Sequence, residues 1–305
     1  MDVVLWLMTG SLFSSFTTST TEQAHETMPE LTPSPLAHYA DQQTRADIEQ
    51  QREQITREAE NTLDKDAVEF FQQINDTIKA LEASKHEDAV AAIKRAQTKL
   101  EILLQRNSTQ VQVPVHVEVA VFDTAPQELS AIMEIAQDAS RALDDKHFPS
   151  ARVLLDSLRS EIRVREYNLP LTTFPTALQE ARRLLERNKT SEARAVLLTA
   201  LQTLVALDRV VPIPLLAARG AIKRAQANRS DAAAAQRYLQ IADNEVDRAR
   251  YLGYAGSNPE YTALKDEIAK LEKQLKGEED LSSLFAELGN RIATFLKGQS
   301  EHQHT

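Results

Sequence analysis

The sequence predicts a mainly α-helical fold, an array of antiparallel helical hairpins with one short inserted β-strand or two-stranded element. Three observations lead to this prediction. The chain has 305 residues with only seven glycines and no cysteine. Its middle part carries a helical repeat with a period of about 42 residues. One segment, residues 111–121, shows a strict two-residue alternation over eleven residues.

The glycine distribution excludes several kinds of site. Walker loops, dinucleotide-binding turns and nucleophile elbows need backbone conformations that glycine adopts at low cost. Residues 11–219 contain no glycine and therefore cannot hold them. The lack of cysteine excludes disulfides, thiolate nucleophiles and cysteine-bound metals. A net charge of −10 without a basic block predicts that the protein does not bind nucleic acid.

The N-terminal region predicts a leader and a linker. Residues 3–13 form an apolar run that is too short to span a bilayer, so we expect no stable membrane span. Two interpretations of residues 1–20 follow: a signal peptide for export to the periplasm, or a leader of a cytoplasmic protein. The start, Met1-Asp2, lacks the positive charge typical of a signal peptide. Residues 21–44 are rich in Thr, Ser, Gln, Glu and Pro and predict a disordered linker.

A repeat organises residues 45–256, which we interpret as one helical-repeat domain. Residues 85–100 and 189–204 match one for one at the small and large apolar positions of one helical face, and residues 146–162 and 231–246 fit the same frame. The repeat alanines are Ala89, Ala151, Ala193 and Ala235, at intervals of 62, 42 and 42. A second amphipathic segment precedes each unit, at 70–83, 129–143, 174–185 and 213–227. This pattern predicts four helical hairpins in series.

The ends of the hairpins are marked by residues that stop or start helices. Pro170 and Pro212 are 42 residues apart, and each is expected to end one hairpin and to set the entry to the next helix. Near the C-terminus, Asn258 and Pro259 favour the start of a new helix. Residues 257–298 therefore predict a C-terminal helical hairpin, and residues 299–305 predict a tail.

The first repeat interval is 20 residues longer than the other two, and the predicted strand lies within these additional residues. Every odd position from 111 to 121 is valine, which predicts a β insertion at 109–123. Pro114 confines this strand to a sheet edge or to a break between two short strands. An isolated strand leaves backbone groups unpaired. Its partner is either the β-prone run 205–213 or the same strand of another subunit, and the second option predicts a homo-oligomer.

The polar residues predict no catalytic, cofactor or metal site, and we assign no binding residues. The seven histidines lack metal-binding spacing; they are His25, His38, His86, His116, His147, His302 and His304. The carboxylate pairs are typical of solvated helix ends; they are Glu58/Glu60, Asp144/Asp145 and Glu278/Glu279. His116 and Glu118 share the non-valine face of the strand but lack a nucleophile. Four tyrosines near hairpin ends fit core packing or a ligand groove; they are Tyr167, Tyr238, Tyr251 and Tyr254.

Four segments resemble the YfdX family of bacterial stress proteins. They are the valine strand at 113–123, which ends in Phe122-Asp123, then Tyr167-Asn-Leu-Pro-Leu-Thr-Thr-Phe-Pro175, Glu186-Arg-Asn-Lys-Thr-Ser-Glu-Ala-Arg194 and Val210-Val-Pro-Ile-Pro-Leu-Leu216. The resemblance covers about residues 45–256. It implies a mainly helical oligomer, often exported, induced by acid and drug stress, credited with chaperone-like activity and without established catalytic residues. The start without a basic segment and the hairpin after Asn258 depart from it.

We therefore expect a non-enzymatic stress-response protein of the YfdX type, chaperone-like or binding small molecules, with unfolded client proteins or small molecules as partners. An acid response has a physical basis. Protonation of the seven histidines would take the net charge from −10 to −3, and carboxylates would reduce it further. The alternative, from a different class, is a helical-repeat scaffold for one specific protein partner.

Overall fold

The computed structural model describes residues 42–107, 111–255, 258–275 and 281–298. These ranges contain eleven helices and three strands, so the predicted mainly α fold with an inserted β element is confirmed. The helices are α1 (Gln42–Glu60), α2 (Lys65–Glu82), α3 (His86–Arg106), α4 (Leu129–Asp144), α5 (Phe148–Asp156), α6 (Phe174–Glu186), α7 (Thr190–Leu201), α8 (Ile213–Ala227), α9 (Ala232–Tyr251), α10 (Glu260–Gln274) and α11 (Ser282–Gly298). The predicted leader, residues 21–41 of the predicted linker and the tail lie outside the described residues.

Three of the four hairpins turn in the same way. Ser84, Lys146 and Asn188 each lie five residues before a repeat alanine and have φ values of 58°, 59° and 58°. In each turn the next residue donates its N–H to the carbonyl four positions before the left-handed residue, as from Lys85 to Ala80 (2.8 Å). This is the Schellman ending of a helix. The fourth hairpin turns differently, because the Asp231 side chain caps α9 by accepting from an amide N–H.

The three strands form one small antiparallel sheet in the order β1-β2-β3. They are β1 (Gln112–Asp123), β2 (Ser160–Pro170) and β3 (Val205–Pro212). The Leu171 N–H donates to the Val111 carbonyl at one end of the β1–β2 pair, and the Thr124 N–H donates to the Arg159 carbonyl at the other. The start of β1 thus lies next to the end of β2, and the end of β1 next to the start of β2, so the two strands run antiparallel.

Of the two predicted partners of the valine strand, the run 205–213 was wrong, because β1 pairs with β2 and β3 lies on the far side of β2. The apolar spacing predicts a helix up to Ile162, since Ile162 continues the spacing of Leu155 and Leu158. The helix α5 ends at Asp156 instead. Residues 162–165 read Ile-Arg-Val-Arg, a two-residue alternation typical of a strand. Because β2 supplies the partner, strand pairing no longer supports a homo-oligomer, which stays a prediction.

The two repeat prolines close strands rather than hairpins. Pro170 is the last residue of β2 and Pro212 the last residue of β3, and α6 and α8 follow them. The expectation that they set the entry to the next helix is therefore correct, while the element that each one ends is a strand. Proline suits this place because it cannot donate to the sheet.

The chain divides into two compact units, and the division falls within each strand. The described part of the first unit is residues 58–107, 111–117 and 165–207. In it the hairpin α2–α3 packs on the hairpin α6–α7, with α3 against α6 and α2 against α7. Phe70 and Phe174 are fully buried between them and meet edge to face, with ring centroids 5.3 Å apart.

The described part of the second unit is residues 42–57, 118–164, 208–255, 258–275 and 281–298. The hairpin α8–α9 is its centre: α11 packs on α8, while α10 and α4 pack on α9. Helices α10 and α11 also contact each other, with the rings of Tyr261 and Phe295 edge to face at 5.0 Å. Among the helices of the described residues, none is both long and apolar enough to cross a membrane.

Candidate functional site

A buried arginine lies at the centre of a polar cluster in the second unit. Arg248, on α9, is 1% exposed. Its guanidinium donates to the carbonyl oxygens of Pro126 (3.0 Å) and Ala125 (3.1 Å). It also lies 3.6 Å from the carboxylate of Asp123, the last residue of β1. A buried charge is strongly destabilising unless it is paired and hydrogen-bonded, and these contacts meet that requirement.

The end of β2 supplies the next members of the cluster. The Ser160 hydroxyl donates to Asp123 at 2.6 Å, and the Ser160 N–H donates to the Tyr254 hydroxyl at 2.9 Å. Tyr254 in turn donates to Glu161 at 3.1 Å. Burial, followed by the charge of Glu161, raises the pKa of the Tyr254 phenol. These contacts hold Tyr254 as a neutral hydrogen-bond bridge.

Glu245 is the member of the cluster that titrates near neutral pH. It lies three residues before Arg248 on α9, and its carboxylate is 3.4 Å from the guanidinium. Burial raises the pKa of Glu245 to about 7, although the Arg248 charge acts in the opposite direction; the Asp123 charge adds to the increase. The cluster therefore takes up a proton when the pH falls below neutral and releases it when the pH rises again.

Two arginines enclose Phe122, the residue before Asp123. The guanidinium carbon of Arg159 lies 3.4 Å from the centroid of the Phe122 ring, and that of Arg163 lies 5.5 Å from it. Both arginines also donate to Glu161, at 3.1 Å and 2.8 Å. Cation–π contacts and ion pairs together fix this corner. The Phe122-Asp123 pair is thus anchored through both of its side chains.

Five large apolar side chains are exposed on the hairpin α4–α5. We call these five residues together the α4–α5 face and give their exposed fractions: Met133 (41%), Leu143 (44%), Phe148 (61%), Val153 (69%) and Leu155 (49%). Ala151, the repeat alanine of the same hairpin, is 1% exposed. On α5, Phe148 and Leu155 are seven residues apart and lie on one side of the helix, whereas Val153 lies on the other side. Exposed large apolar side chains that form a patch mark interaction sites.

The exposure of this hairpin departs from the rest of the repeat. Leu155 is half-exposed, whereas the residues at the same repeat position in the other three hairpins are all 0% exposed; they are Ile93, Leu197 and Leu239. In the first unit the hairpins α2–α3 and α6–α7 pack against each other, and Ile93 and Leu197 are buried. In the second unit α11 packs on α8, and α5 packs mainly on α4. The outer side of α5 therefore faces solvent in this chain.

The residues predicted from sequence lie apart from this cluster, with the exception of Tyr254. His116 and Glu118 are half-buried in β1, and the His116 ring stacks on that of Tyr167 with centroids 5.7 Å apart. The guanidinium of Arg224 lies over the Tyr238 ring at 5.6 Å. Further candidates are exposed: Tyr251, Glu58, Glu60, Asp144, Asp145 and His147. His25, His38, His302, His304 and Glu278/Glu279 lie outside the described residues.

The described residues contain no group of three or more His, Asp or Glu side chains placed to hold a metal. Sequence patterns do not reveal the buried cluster, because its members are far apart in the chain. One signal was present: Glu245 and Arg248 flank the apolar positions Val246 and Ala249 of α9, so both charges border the buried face. A charged pair three residues apart at such an edge is compatible with a buried ion pair.

The fold and the site define a mainly helical protein of paired hairpins with a small antiparallel sheet and a buried charge cluster. Residues 70–210 match the family described as YfdX protein. This match confirms the resemblance to the YfdX family over residues 70–210. Helices α8 to α11, with Arg248 and Glu245 on α9, follow the matched residues.

Among solved structures, a structure of Salmonella Typhi YfdX is similar to this chain, with 13% sequence identity and a TM-score of 0.33. The similarity covers 50% of this chain and 93% of that chain. No curated protein matches the chain.

Proposed function

We propose that this protein is a non-enzymatic stress-response protein that binds non-native client proteins through the α4–α5 face. The exposed apolar side chains of that face carry the proposal, with Phe148 and Val153 more than 60% exposed. Unfolded chains expose apolar side chains, and burying them against an apolar surface is favourable by about 25 cal/mol per Å². An apolar face therefore fits clients that share little beyond exposed hydrophobic residues.

The chemistry of the buried cluster supports a role without catalysis. The Ser160 hydroxyl donates to a buried carboxylate rather than to a histidine base. The arginines of the cluster contact carboxylates, backbone carbonyls and the Phe122 ring. A nucleophile next to a general base in an open cleft is the arrangement that catalysis needs, and this cluster is closed and charge-paired.

The acid response belongs to the proposal, and Glu245 supports it. Because burial raises the pKa of Glu245 to about 7, this carboxyl takes up a proton as the pH falls from neutral. Protonation removes one buried negative charge and favours the folded state in acid. A protein that holds clients during acid stress must itself stay folded there.

Export to the periplasm is also proposed, and the apolar run at residues 3–13 supports it. N-terminal sequencing by mass spectrometry of protein from periplasmic and cytoplasmic fractions tests this. We expect a shortened N-terminus in the periplasmic fraction. Protein found only in the cytoplasm with Met1 or Asp2 at its start would overturn export.

Small-molecule binding is less well supported by the surface grooves of the first unit. One groove of about 430 Å³ between α2 and α3 is lined by polar side chains such as Glu69, Gln73 and Lys99. Ligand sites are usually concave and mostly apolar with a few polar groups. The side chains that line this groove all carry a polar or charged group, so the α4–α5 face, with its large aliphatic and aromatic side chains, remains the stronger binding surface.

Aggregation assays on unrelated client proteins test the proposed function. Light scattering of denaturing clients is followed at pH 7 and pH 4.5 with the natural protein, Leu155→Glu and Ile241→Glu. Ile241 is 43% exposed on α9, so its variant is a matched control outside the face. We expect Leu155→Glu to lose protection and Ile241→Glu to keep it. If the natural protein protects no client, and a pull-down yields one stoichiometric partner, the scaffold alternative replaces the proposal.

A further inference from the structure

Helix α1 comes close to α8 at a glycine. Residues 42–57 of α1 and all of α8 belong to the second unit. Glycine destabilises the middle of a helix relative to alanine, yet Gly220 stands in the middle of α8. A Cβ atom at Gly220 would lie only 3.2 Å from a carboxylate oxygen of Asp47. The missing side chain therefore gives α1 room to approach α8.

Two arginines of α8, one before and one after Gly220 in the chain, hold α1. Arg224 donates to the Asp47 carboxylate at 3.2 Å. Arg219 donates to the side-chain carbonyl of Gln51 at 3.3 Å. Asp47 and Gln51 are four residues apart, so they lie on one side of α1 in successive turns. This side of α1 is therefore the one that faces α8.

Gln51 satisfies Arg219 only in part. The Gln51 amide carries no charge, and the buried Nε atom of Arg219 has no hydrogen-bond acceptor among the described residues. A buried donor without an acceptor is destabilising. A carboxylate accepts stronger hydrogen bonds from a guanidinium than an amide does, and it can accept from two of its nitrogens at once. A carboxylate in the place of the Gln51 amide would therefore suit Arg219 better.

The other contacts of α1 also hold it weakly. Its only large apolar side chains are Ile48 and Ile55, which are both buried. The Asp47 side chain is 33% exposed, and ion pairs that solvent reaches contribute little to stability. In the described part of the chain no other helix packs extensively along α1. A competing helix therefore has few contacts to replace.

We propose that the side of α8 around Gly220 is a binding site for acidic amphipathic helices of partner proteins, and that α1 is its replaceable occupant. The binding of an amphipathic helix in a groove is a common mode of recognition. The partner carries carboxylates at the positions of Asp47 and Gln51 and aliphatic residues at those of Ile48 and Ile55. Its second carboxylate binds Arg219 more strongly than Gln51 does, which favours the partner over α1.

This site goes beyond the proposed function. It shares no residue with the α4–α5 face, and both α1 and α8 lie outside the residues that match the family, 70–210. The α4–α5 face is apolar and fits clients that have little in common. The site on α8 instead selects its partner by two charges at a fixed spacing, and charge complementarity of this kind provides specificity.

A reversible disulfide tests whether α1 must leave for a partner to bind. The chain has no cysteine, so an introduced pair has no competing thiol. A Cβ atom at Gly220 would lie 3.9 Å from the Cβ atom of Asp47, within the range of about 3.5–4.5 Å that a disulfide requires. The double variant Asp47→Cys/Gly220→Cys therefore fixes α1 on α8 when it is oxidised and releases it when it is reduced.

The probe is a fluorescent peptide of residues 42–57 with Gln51→Glu, and its binding is followed by anisotropy. We expect the oxidised double variant to bind it at least about tenfold more weakly than the reduced one, because the tethered α1 occupies the site. Both forms are the same chain, and circular dichroism confirms that both are folded. Equal binding by the two forms, or no binding by the reduced form and the natural protein, overturns the proposal.

A second experiment tests the role of Arg219 without cysteines. In the full chain Gln51→Glu should attach α1 more firmly and weaken peptide binding by about tenfold at low salt, since a charge-assisted hydrogen bond replaces a neutral one. Gln50→Glu adds the same charge at an exposed position of α1 and is the matched control. It should bind the peptide like the natural protein. Equal effects of the two substitutions contradict the role of Arg219.

Client protection and peptide binding together separate this site from the proposed function. Leu155→Glu should bind the peptide with the natural affinity, and the oxidised double variant should protect clients like its reduced form. This result places the two activities on different surfaces. A folded Leu155→Glu variant that no longer binds the peptide would place the peptide on the α4–α5 face and overturn the site on α8.

Discussion

The guanidinium of Arg248 lies 3.6 Å from the carboxylate of Asp123, and their side chains are only 2% and 0% exposed. Asp123 ends β1 and Arg248 lies on α9, so the contact joins segments 125 positions apart in the chain. Backbone carbonyls and the Ser160 hydroxyl provide further hydrogen bonds. The second unit therefore depends on a charge pair that is out of reach of solvent.

We predict that Asp123→Ala lowers the free energy of unfolding by about 3–5 kcal/mol, because it leaves Arg248 buried without its ion-pair partner. Ser160→Ala removes only one hydrogen bond and should cost about 1–2 kcal/mol. Urea unfolding of both variants measures the difference. Equal losses in the two variants would contradict a special role for the ion pair.

The Glu245→Gln variant should remove a pH dependence of stability. The folded-state pKa of Glu245 is about 7 and its ordinary value is 4.5, so the folded protein binds more protons between these values. Its contribution is therefore fully present below pH 4.5 and is lost as the pH rises through 7, by up to about 3 kcal/mol.

Glutamine imitates the protonated carboxyl, so Glu245→Gln should be more stable than the natural protein at pH 8 and equally stable at pH 4.5. Thermal unfolding across this range measures the effect. Glu260→Gln serves as the contrasting control, because the hydrogen bond to Arg291 lowers the pKa of Glu260. This control should not gain stability at pH 8. An unchanged pH slope in Glu245→Gln would show that this carboxyl does not titrate as we infer.

Removal of either ring of the central aromatic pair should strongly destabilise the first unit. Phe70→Ala and Phe174→Ala each leave a cavity in a fully buried site and should cost about 3–5 kcal/mol. The double variant should show a coupling of about 0.5–1.5 kcal/mol beyond lost burial. Val111 is 62% exposed, so Val111→Ala should change stability by less than about 0.5 kcal/mol. Denaturant unfolding gives all four values.

The left-handed turn residues predict a contrast between two substitutions at Asn188, whose φ is 58°. Asn188→Gly should keep the stability within about 0.5 kcal/mol, since glycine adopts this conformation without strain. Asn188→Val should cost about 1–2 kcal/mol, because a β-branched side chain clashes there. Equal melting temperatures for the two variants would contradict the described turn.

Acidification should change the assembly of the natural protein. The net charge of −10 becomes less negative as the pH falls, so the repulsion between copies decreases. We expect light scattering and binding of an apolar dye to change over this range. Flat signals in both measurements would rule out the acid-dependent assembly.

Local patterns in the sequence were enough for the helical hairpins but not for the sheet. The predicted helix at 213–227 matches α8, because proline, apolar spacing and the turn all act within a few residues. The strand β2 was missed because Ile162 fits the helical spacing as well as the alternation of Ile162 and Val164. Whether these residues form a helix or a strand depends on pairing with β1 and β3, which come from other parts of the chain.

By itself, the sequence determined where the hairpins lie, which side of each helix is apolar and, through the lack of glycine and cysteine, which sites residues 11–219 cannot hold. Only the tertiary structure decided what each apolar side touches. Leu155 and Leu197 occupy the same place in the repeat, yet one is 49% exposed and the other is 0% exposed. Side-chain spacing along a helix specifies an apolar face, whereas its burial depends on which other segment of the chain packs against that face.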